Sequence, residues 1–241
     1  MAKLAELQEQ ISADGLRLAI VEGYLPIEQL KLGRDDGSEL AAMQALLREM
    51  GRLGIPLLCY NFMAGTDWVR TRLDAPERGG ARVTEFDLAA AERAVSLSAT
   101  ASTIASDRIS AEQLWVNLER LLRELLPIAE ECGVTLAMHP DDPPLPEFRG
   151  KARIMNSVEN FERLVRLVPS KRNGICFCQG TFAALGVDIP ATIRRLGPHI
   201  RYVHFRDMAP LPHDLGGGHP VSRSRQIPVF GQPEDGAELS G

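Results

Sequence analysis

The feature that most constrains the fold is a series of short apolar runs, separated by longer segments with helical periodicity. The five runs are LRLAIVE (16–22), IPLLCYNF (55–62), GVTLAMH (133–139), GICFCQG (174–180) and IRYVHFRD (200–207). Runs that are apolar on both faces and alternate with helices are typical of parallel strands covered by helices. The sequence therefore predicts an α/β protein built on a parallel sheet.

The positions of the polar residues distinguish the two common parallel architectures, an open doubly wound sheet and a (β/α)₈ barrel. Asn61, His139, Cys178, His204 and Arg206 all fall at the carboxyl ends of predicted strands, where barrel enzymes build their active sites. The sequence lacks both G-x-G-x-x-G after its first strand and a Walker A motif, which disfavours a nucleotide-binding sheet. We predict an incomplete TIM-barrel-type fold with about five βα units, whose open strand edges favour a homo-oligomer.

Two segments depart from the βα repeat. Residues 63–110 form a long excursion between the second and third strands, and a helix is predicted there from about 85 to 97. Residues 208–241 are rich in glycine and proline and show little periodicity, which predicts an irregular, poorly ordered tail. The expected organisation is a partial barrel over 1–207 with a helical excursion, followed by this tail.

Composition excludes several classes of protein. The formal net charge is −5 and no basic run occurs, so nucleic-acid binding through phosphate neutralisation is not expected. No apolar stretch reaches about 18 residues and the N-terminus lacks the apolar core of a secretory signal, so no membrane association is expected. Four cysteines in 241 residues do not form a disulfide framework. These features predict a soluble, cytoplasmic protein.

Three residues of metal-binding type, His139, Cys178 and His204, end three successive strands. Because neighbouring strands lie about 4.8 Å apart, these side chains can converge on one divalent ion and leave a position open for substrate. Each also has a structural interpretation: a solvated histidine in a proline-rich turn, a small buried thiol, and a core histidine. Cys176, two residues before Cys178, is expected to point the same way but deeper.

A set of motifs in these regions resembles the mannonate dehydratase family. The motifs are CYNFM (59–63), DWVRT (67–71), HPDDPP (139–144), NGICFCQGT (173–181) and HFRD (204–207), with KLGR (31–34) also fitting. They follow the family's order and spacing over about residues 14–207. The resemblance implies a xylose-isomerase-like barrel and a lyase of hexuronate catabolism and glucuronate degradation. Its small-molecule partner would be a sugar acid, D-mannonate, dehydrated to 2-keto-3-deoxy-D-gluconate.

The resemblance also implies a divalent metal, usually Mn²⁺, with Fe²⁺ or another divalent ion as the alternative. By matching motif, His139, Cys178 and His204 correspond to family metal ligands, and Asn61 and Arg206 to residues that line the sugar-acid site. Ligand chemistry alone, with a soft thiolate, would have suggested zinc or iron before manganese. The Mn²⁺ prediction therefore comes from the resemblance.

The sequence also departs from the family pattern. Family members carry two further βα units before residue 14, and a final strand with an aspartate ligand and an adjacent histidine. We expect a truncated chain with impaired activity, in which Asp141 is a weak candidate for the base. His213, Asp214 and His219 could imitate the missing ligands, although solvated loop residues are the simpler interpretation. A sugar isomerase or epimerase and a non-catalytic fragment stay open as alternatives.

Overall fold

The structure, a computed structural model, describes residues 2–23, 25–66, 68–93, 95–96, 107–210 and 223–227. The helices are α1 (Ala2–Ala13), α2 (Glu28–Leu32), α3 (Ser38–Arg52), α4 (Ala111–Cys132), α5 (Val158–Leu167), α6 (Gln179–Ala184) and α7 (Ile189–Leu196). The strands are β1 (Ile20–Glu22), β2 (Leu57–Tyr60), β3 (Val69–Arg70), β4 (Arg72–Pro76), β5 (Arg82–Asp87), β6 (Val95–Ser96), β7 (Thr135–Met138), β8 (Glu147–Phe148), β9 (Lys151–Ala152), β10 (Asn173–Cys178), β11 (Ile200–His204), β12 (Asp207–Pro210) and β13 (Arg223–Ile227).

A five-stranded sheet of order β1-β2-β7-β10-β11 forms the centre of the molecule. Every neighbouring pair in it is parallel, and each predicted apolar run contributes one strand. Strands β2, β7 and β10 are buried along their whole length, as expected for a sheet covered on both faces. The predicted parallel sheet is therefore confirmed.

The sheet is curled. Strands β1 and β11 are its two edges, and four strand spacings would separate them by roughly 19 Å in a flat sheet. Nevertheless, Glu22 Oε2 at the end of β1 lies 2.9 Å from His204 Nε2 at the end of β11. Two side chains of this size can meet only if the sheet rolls up like part of a barrel wall. This curl agrees with the predicted incomplete TIM-barrel-type fold.

The main hydrophobic core lies between the central sheet and its helices. Helix α4 contributes the longest buried face, including Leu114, Leu118, Leu121 and Leu125. Ser110 begins this helix by accepting a hydrogen bond from the Gln113 N–H (3.2 Å), which is the usual N-cap geometry. The described part of the chain contains no helix that combines the length and the apolar character needed to cross a membrane.

The helix predicted at 85–97 is wrong. Strand β5 covers the start of this range, a 3₁₀ helix covers Leu88–Arg93, and β6 follows. Phe86 is 2% exposed and its ring packs edge-on against Phe148 at 6.0 Å between centroids. Antiparallel pairing of β5 with β4 satisfies its backbone. Strand pairing and the packing of Phe86 therefore keep the start of the range extended, and the alanine-rich part forms only a short 3₁₀ helix.

The described part of the tail is not irregular. Strands β12 and β13 extend the β4–β5 hairpin into a four-stranded antiparallel sheet of order β12-β13-β5-β4. The predicted boundary at 207/208 falls inside β12 because the free edge of β5 offers backbone donors and acceptors to a further strand. Residues 211–222 and 228–241, with His213, Asp214 and His219, lie outside the described residues.

Candidate active site

His139, Cys178 and His204 come together at the carboxyl ends of β7, β10 and β11. One potential ligand atom of each residue lies within 4.8 Å of those of the other two. Cys178 and His204 are direct register partners across β10 and β11. His139 follows β7, and its backbone N–H donates to the Tyr60 carbonyl (2.7 Å). The convergence expected from strand spacing is therefore present.

The orientation of the His139 ring is fixed by the backbone. Its Nδ1 lies 2.6 Å from the Pro140 carbonyl oxygen, and since a carbonyl can only accept, Nδ1 carries a proton. The other nitrogen, Nε2, is then the one available to the thiol and the second imidazole. Histidines that bind a metal through one ring nitrogen commonly donate the N–H of the other to a carbonyl, which fixes the orientation of the ring.

The three groups perturb one another's pKa. Burial disfavours the charged forms, but the Cys178 thiolate and the His139 imidazolium stabilise each other. The pKa of Cys178 is consequently well below its usual value, and that of His139 is raised to about 9. For His204, hydrogen bonds to Cys176, Cys178 and Glu22 outweigh burial and raise the pKa to about 12. Without a cation, the cluster therefore favours thiolate and imidazolium at neutral pH.

Arg206 lies against this cluster and is held by a buried carboxylate. Its Nε donates to Cys178 Sγ (3.1 Å), and its Nη2 donates to Asp142 Oδ2 (3.1 Å) and Thr181 Oγ1 (3.0 Å). Arg70, from β3 in the excursion, approaches the same carboxylate with two bonds of 3.1 and 2.9 Å. The excursion therefore positions Asp142, and Asp142 positions Arg206.

Whereas the hydrogen bonds of Arg206 go to Cys178, Asp142 and Thr181, Asn61 bonds to Lys31 and Met63. Its Oδ1 accepts from Lys31 Nζ (3.3 Å) and from the Met63 N–H (3.1 Å). Lys31 is 2% exposed and pairs with Glu28 at 2.5 Å. Asn61 therefore stabilises the turn after β2 and connects it to α2, which contains the start of the KLGR segment.

Asp141 is fully buried and joins the loop after β7 to the segment before α5. Its Oδ2 accepts from the Met155 N–H (2.6 Å), and its own N–H donates to the Met155 carbonyl (3.0 Å). Burial, only partly offset by Arg153, raises the pKa of Asp141 to about 6. Its Oδ1 has no hydrogen-bond partner within the described ranges. The geometry gives this residue a structural contact that the sequence did not reveal.

Sequence reasoning missed Glu22 and Cys59. Glu22 bonds His204 across the curled sheet, and Cys59 is its register partner on β2. Cys59, Cys176 and His204 form a second trio whose ligand atoms lie within 4.8 Å of one another. The available signal was that Glu22, like His139, ends an apolar run.

Comparison with known proteins gives a consistent result. The family described as D-mannonate dehydratase (UxuA) matches residues 1–213. The mannonate dehydratase of Oceanobacillus iheyensis is 35% identical over 224 residues, which cover 86% of this chain and 64% of that protein. That of Streptococcus pneumoniae is 34% identical over 202 residues, covering 76% and 55% respectively. The chain thus spans less than two thirds of the length of these relatives.

Comparison with solved structures points to the same family. The mannonate dehydratase from Streptococcus suis serotype 2 superposes with a TM-score of 0.74 at 32% identity, covering 86% of this chain and 61% of that one. A D-psicose 3-epimerase from Clostridium cellulolyticum gives a TM-score of 0.56 at 15% identity, covering 83% and 56%, and at this identity the likeness shows only the fold. With the family match extending over most of the sequence and the strand-end motifs meeting at one site, the chain belongs to the mannonate dehydratase family.

Proposed function

We propose that the chain is a metal-dependent lyase that dehydrates D-mannonate to 2-keto-3-deoxy-D-gluconate, acting in the cytoplasm in hexuronate catabolism, as a homo-oligomer. The observation that carries this proposal is the meeting of His139, Cys178 and His204 at the carboxyl ends of three neighbouring strands. Membership of the mannonate dehydratase family supports the substrate and the reaction.

The donor set fits a divalent metal. His139 Nε2, Cys178 Sγ and a ring nitrogen of His204 offer three donors and leave coordination positions for substrate. We propose Mn²⁺ because of the family motif, with Fe²⁺ as the alternative that the thiolate favours. A bound divalent ion supplies Lewis-acid stabilisation of the negative charge that develops on the substrate carboxylate as the C2 proton leaves.

Arg206 is proposed to bind the substrate carboxylate. A guanidinium has five N–H donors, and the bonds to Cys178, Asp142 and Thr181 use only Nε and Nη2. Within the described residues this leaves Nη1 to donate to a ligand. The side chain is 20% exposed, so a sugar acid can reach it, while Asp142 holds the guanidinium plane in place.

Asn61 and Asp141 have supporting parts in this proposal. Asn61 holds the turn after β2 through Lys31 and Met63, and we propose that its amide also contacts a substrate hydroxyl. Asp141 stays a weak candidate for the base that removes the C2 proton, because its carboxylate is fully buried and one oxygen already accepts from Met155. We favour a positioning role for it.

The test is a product assay on purified chain stripped of metal and reloaded with Mn²⁺. With D-mannonate, a 2-keto-3-deoxy acid is expected, whereas a sugar isomerase or epimerase would give an isomer without loss of water. Cys178→Ser should reduce turnover, while Cys132→Ser, at the end of α4, should retain it. A folded, metal-loaded chain that forms only an isomer, or no product, would refute the proposal.

A further inference from the structure

A second group of soft donors lies beside the proposed metal centre. Cys59, Cys176 and His204 each place one potential ligand atom within 4.8 Å of the other two. Both thiols are fully buried, and His204 keeps 20% of its side chain exposed. Cys176 precedes Cys178 by two residues on β10, so its side chain points to the same face one layer deeper.

A carboxylate lies against one member of this group. Glu22 Oε2 lies 2.9 Å from His204 Nε2. Glu22 and Cys59 are register partners on β1 and β2. Three donors, two sulfurs and one imidazole, therefore lie close together from β2, β10 and β11, and Glu22 on β1 holds the imidazole.

A disulfide does not explain the two cysteines. Both cysteines are free thiols in the structure, and because β7 lies between β2 and β10, two strand spacings of about 4.8 Å would place their Cα atoms roughly 9 to 10 Å apart in a flat sheet. A disulfide requires a Cα separation of about 4.4–6.8 Å. Simple apolar packing is also insufficient as an explanation, because His204 brings an imidazole to both thiols.

We propose that Cys59, Cys176 and His204 form a second cation position, selective for a thiophilic divalent ion of the zinc class, with Glu22 holding the His204 ring. Donors around a tetrahedral ion of this kind lie about 2.0–2.3 Å from it, hence roughly 3.3–3.8 Å from one another. Small side-chain movements would therefore bring separations of up to 4.8 Å to this geometry. Two thiolates favour zinc over manganese, which prefers oxygen ligands.

The two cation positions share His204, so binding of an ion at one affects binding at the other. An ion held by Cys59 and Cys176 occupies the imidazole that the first position needs with His139 and Cys178. Zinc at the deeper position would thus weaken binding of Mn²⁺ at the first. The assignment does not depend on the dehydratase proposal, because cation binding is measured without substrate.

The experiment is a Co²⁺ titration of metal-free protein, with the thiolate-to-cobalt charge-transfer absorption reporting the number of sulfur ligands. Cys178→Ser leaves only the second position intact, and we expect one bound Co²⁺ with two-thiolate absorption. Cys176→Ser and Cys59→Ser each remove one thiolate from the second position. When either is added to Cys178→Ser, Zn²⁺ affinity should fall by at least about 100-fold, because changing even a residue that only supports a metal ligand costs about 10–100-fold. Cys132→Ser is the matched control.

The outcomes separate clearly. Two-thiolate absorption in Cys178→Ser, lost on adding either second substitution, supports the assignment, provided that circular dichroism shows each variant folded. A folded Cys178→Ser protein without thiolate-to-cobalt absorption would overturn it. So would Zn²⁺ affinity unchanged by both Cys59→Ser and Cys176→Ser in that background. Failure of the D-mannonate assay alone would bear on the dehydratase proposal and leave this result unaffected.

Discussion

The Asp142 carboxylate gives the sharpest test of how the excursion is connected to the site. Asp142 and Arg70 are each 3% exposed and joined by two hydrogen bonds, and Arg206 adds a third from a side chain that is 20% exposed. Asp142→Asn keeps the volume but removes the charge. It leaves Arg70 as a buried cation without its counter-charge, and breaking such a pair costs about 3–5 kcal/mol. Because solvent partly screens Arg206, Arg70 accounts for most of this loss.

The measurement is urea unfolding at pH 7 followed by circular dichroism. With a slope of about 2 kcal/mol per molar, the expected loss moves the midpoint by roughly 1.5–2.5 M. The matched control is Asp74→Asn, which removes the same charge from the pair of Arg72 and Asp74, 47% and 72% exposed. Exposed pairs contribute about 0–1 kcal/mol. Equal losses of stability in the two variants would refute the reasoning.

A pH series gives a second check on the same residue. Burial alone would raise the pKa of Asp142, but Arg70 and Arg206 outweigh it and hold the pKa far below its usual value. A carboxyl with a lowered folded-state pKa contributes its full stability above the unfolded pKa of about 3.9 and loses it as the pH falls further. The stability gap between wild type and Asp142→Asn should therefore be constant from pH 5 to 7 and shrink below about pH 4. A gap that widens on acidification would contradict the ion-pair explanation.

Three further predictions follow from particular contacts. Cys178→Ser should lower Mn²⁺ affinity far more than Cys132→Ser in equilibrium dialysis, and equal retention would count against the ligand assignment. The pKa of His139 is raised to about 9 without metal, so Mn²⁺ must displace a proton from this residue when it binds. The affinity for Mn²⁺ should therefore rise between pH 6 and 9 by about tenfold per pH unit for each proton released. Calorimetry in buffers of different ionisation enthalpy measures that release, and finding none would contradict the prediction. Gly51→Ala would place a Cβ 2.8 Å from the Cys132 carbonyl oxygen and should lower the free energy of unfolding by about 1–3 kcal/mol. Gly197→Ala, where a Cβ would have no atom within 4 Å, should change it by no more than about 0.5 kcal/mol. Thermal unfolding of both variants gives the comparison.

The central sheet could be predicted because each of its strands has a local sequence pattern. A buried parallel strand must be apolar on both faces, and the carboxyl ends of parallel strands meet at one edge whatever the loops between them do. His139, Cys178 and His204 could therefore be grouped from sequence alone, and the structure brings them within 4.8 Å. The identity of the ion stays a prediction, since it depends on chemistry beyond this geometry.

The excursion and the contact between the sheet edges could not be predicted, because both depend on partners distant in sequence. The alanine-rich segment after Phe86 has good helical propensity, but Phe86 packs against Phe148 and β5 pairs with β4 and β13. Glu22 meets His204 across 182 positions of sequence, and although its place at the end of an apolar run marks it as a strand-end residue, that position does not indicate which residue it contacts. Sequence patterns predict which face of an element is buried and where the element ends. A contact between the two edges of the sheet depends instead on how far the sheet curls.

That curl links the chemistry of the site to the stability of the fold. The carboxyl ends of β1 and β11, the two edges of the sheet, are joined through Glu22 and His204. A cation bound by residues of β7, β10 and β11 would act as a cross-link at the same end, and an ion present at a hundred times its Kd stabilises the folded state by about 2.7 kcal/mol. Without it, His139 and His204, both with raised pKa values, face each other with ring centroids 5.0 Å apart. The pKa values of Cys176 and Cys178 are lowered, in part by these two imidazoles, so the cysteines that would bind metal also offset the repulsion between the two charged rings when no metal is bound.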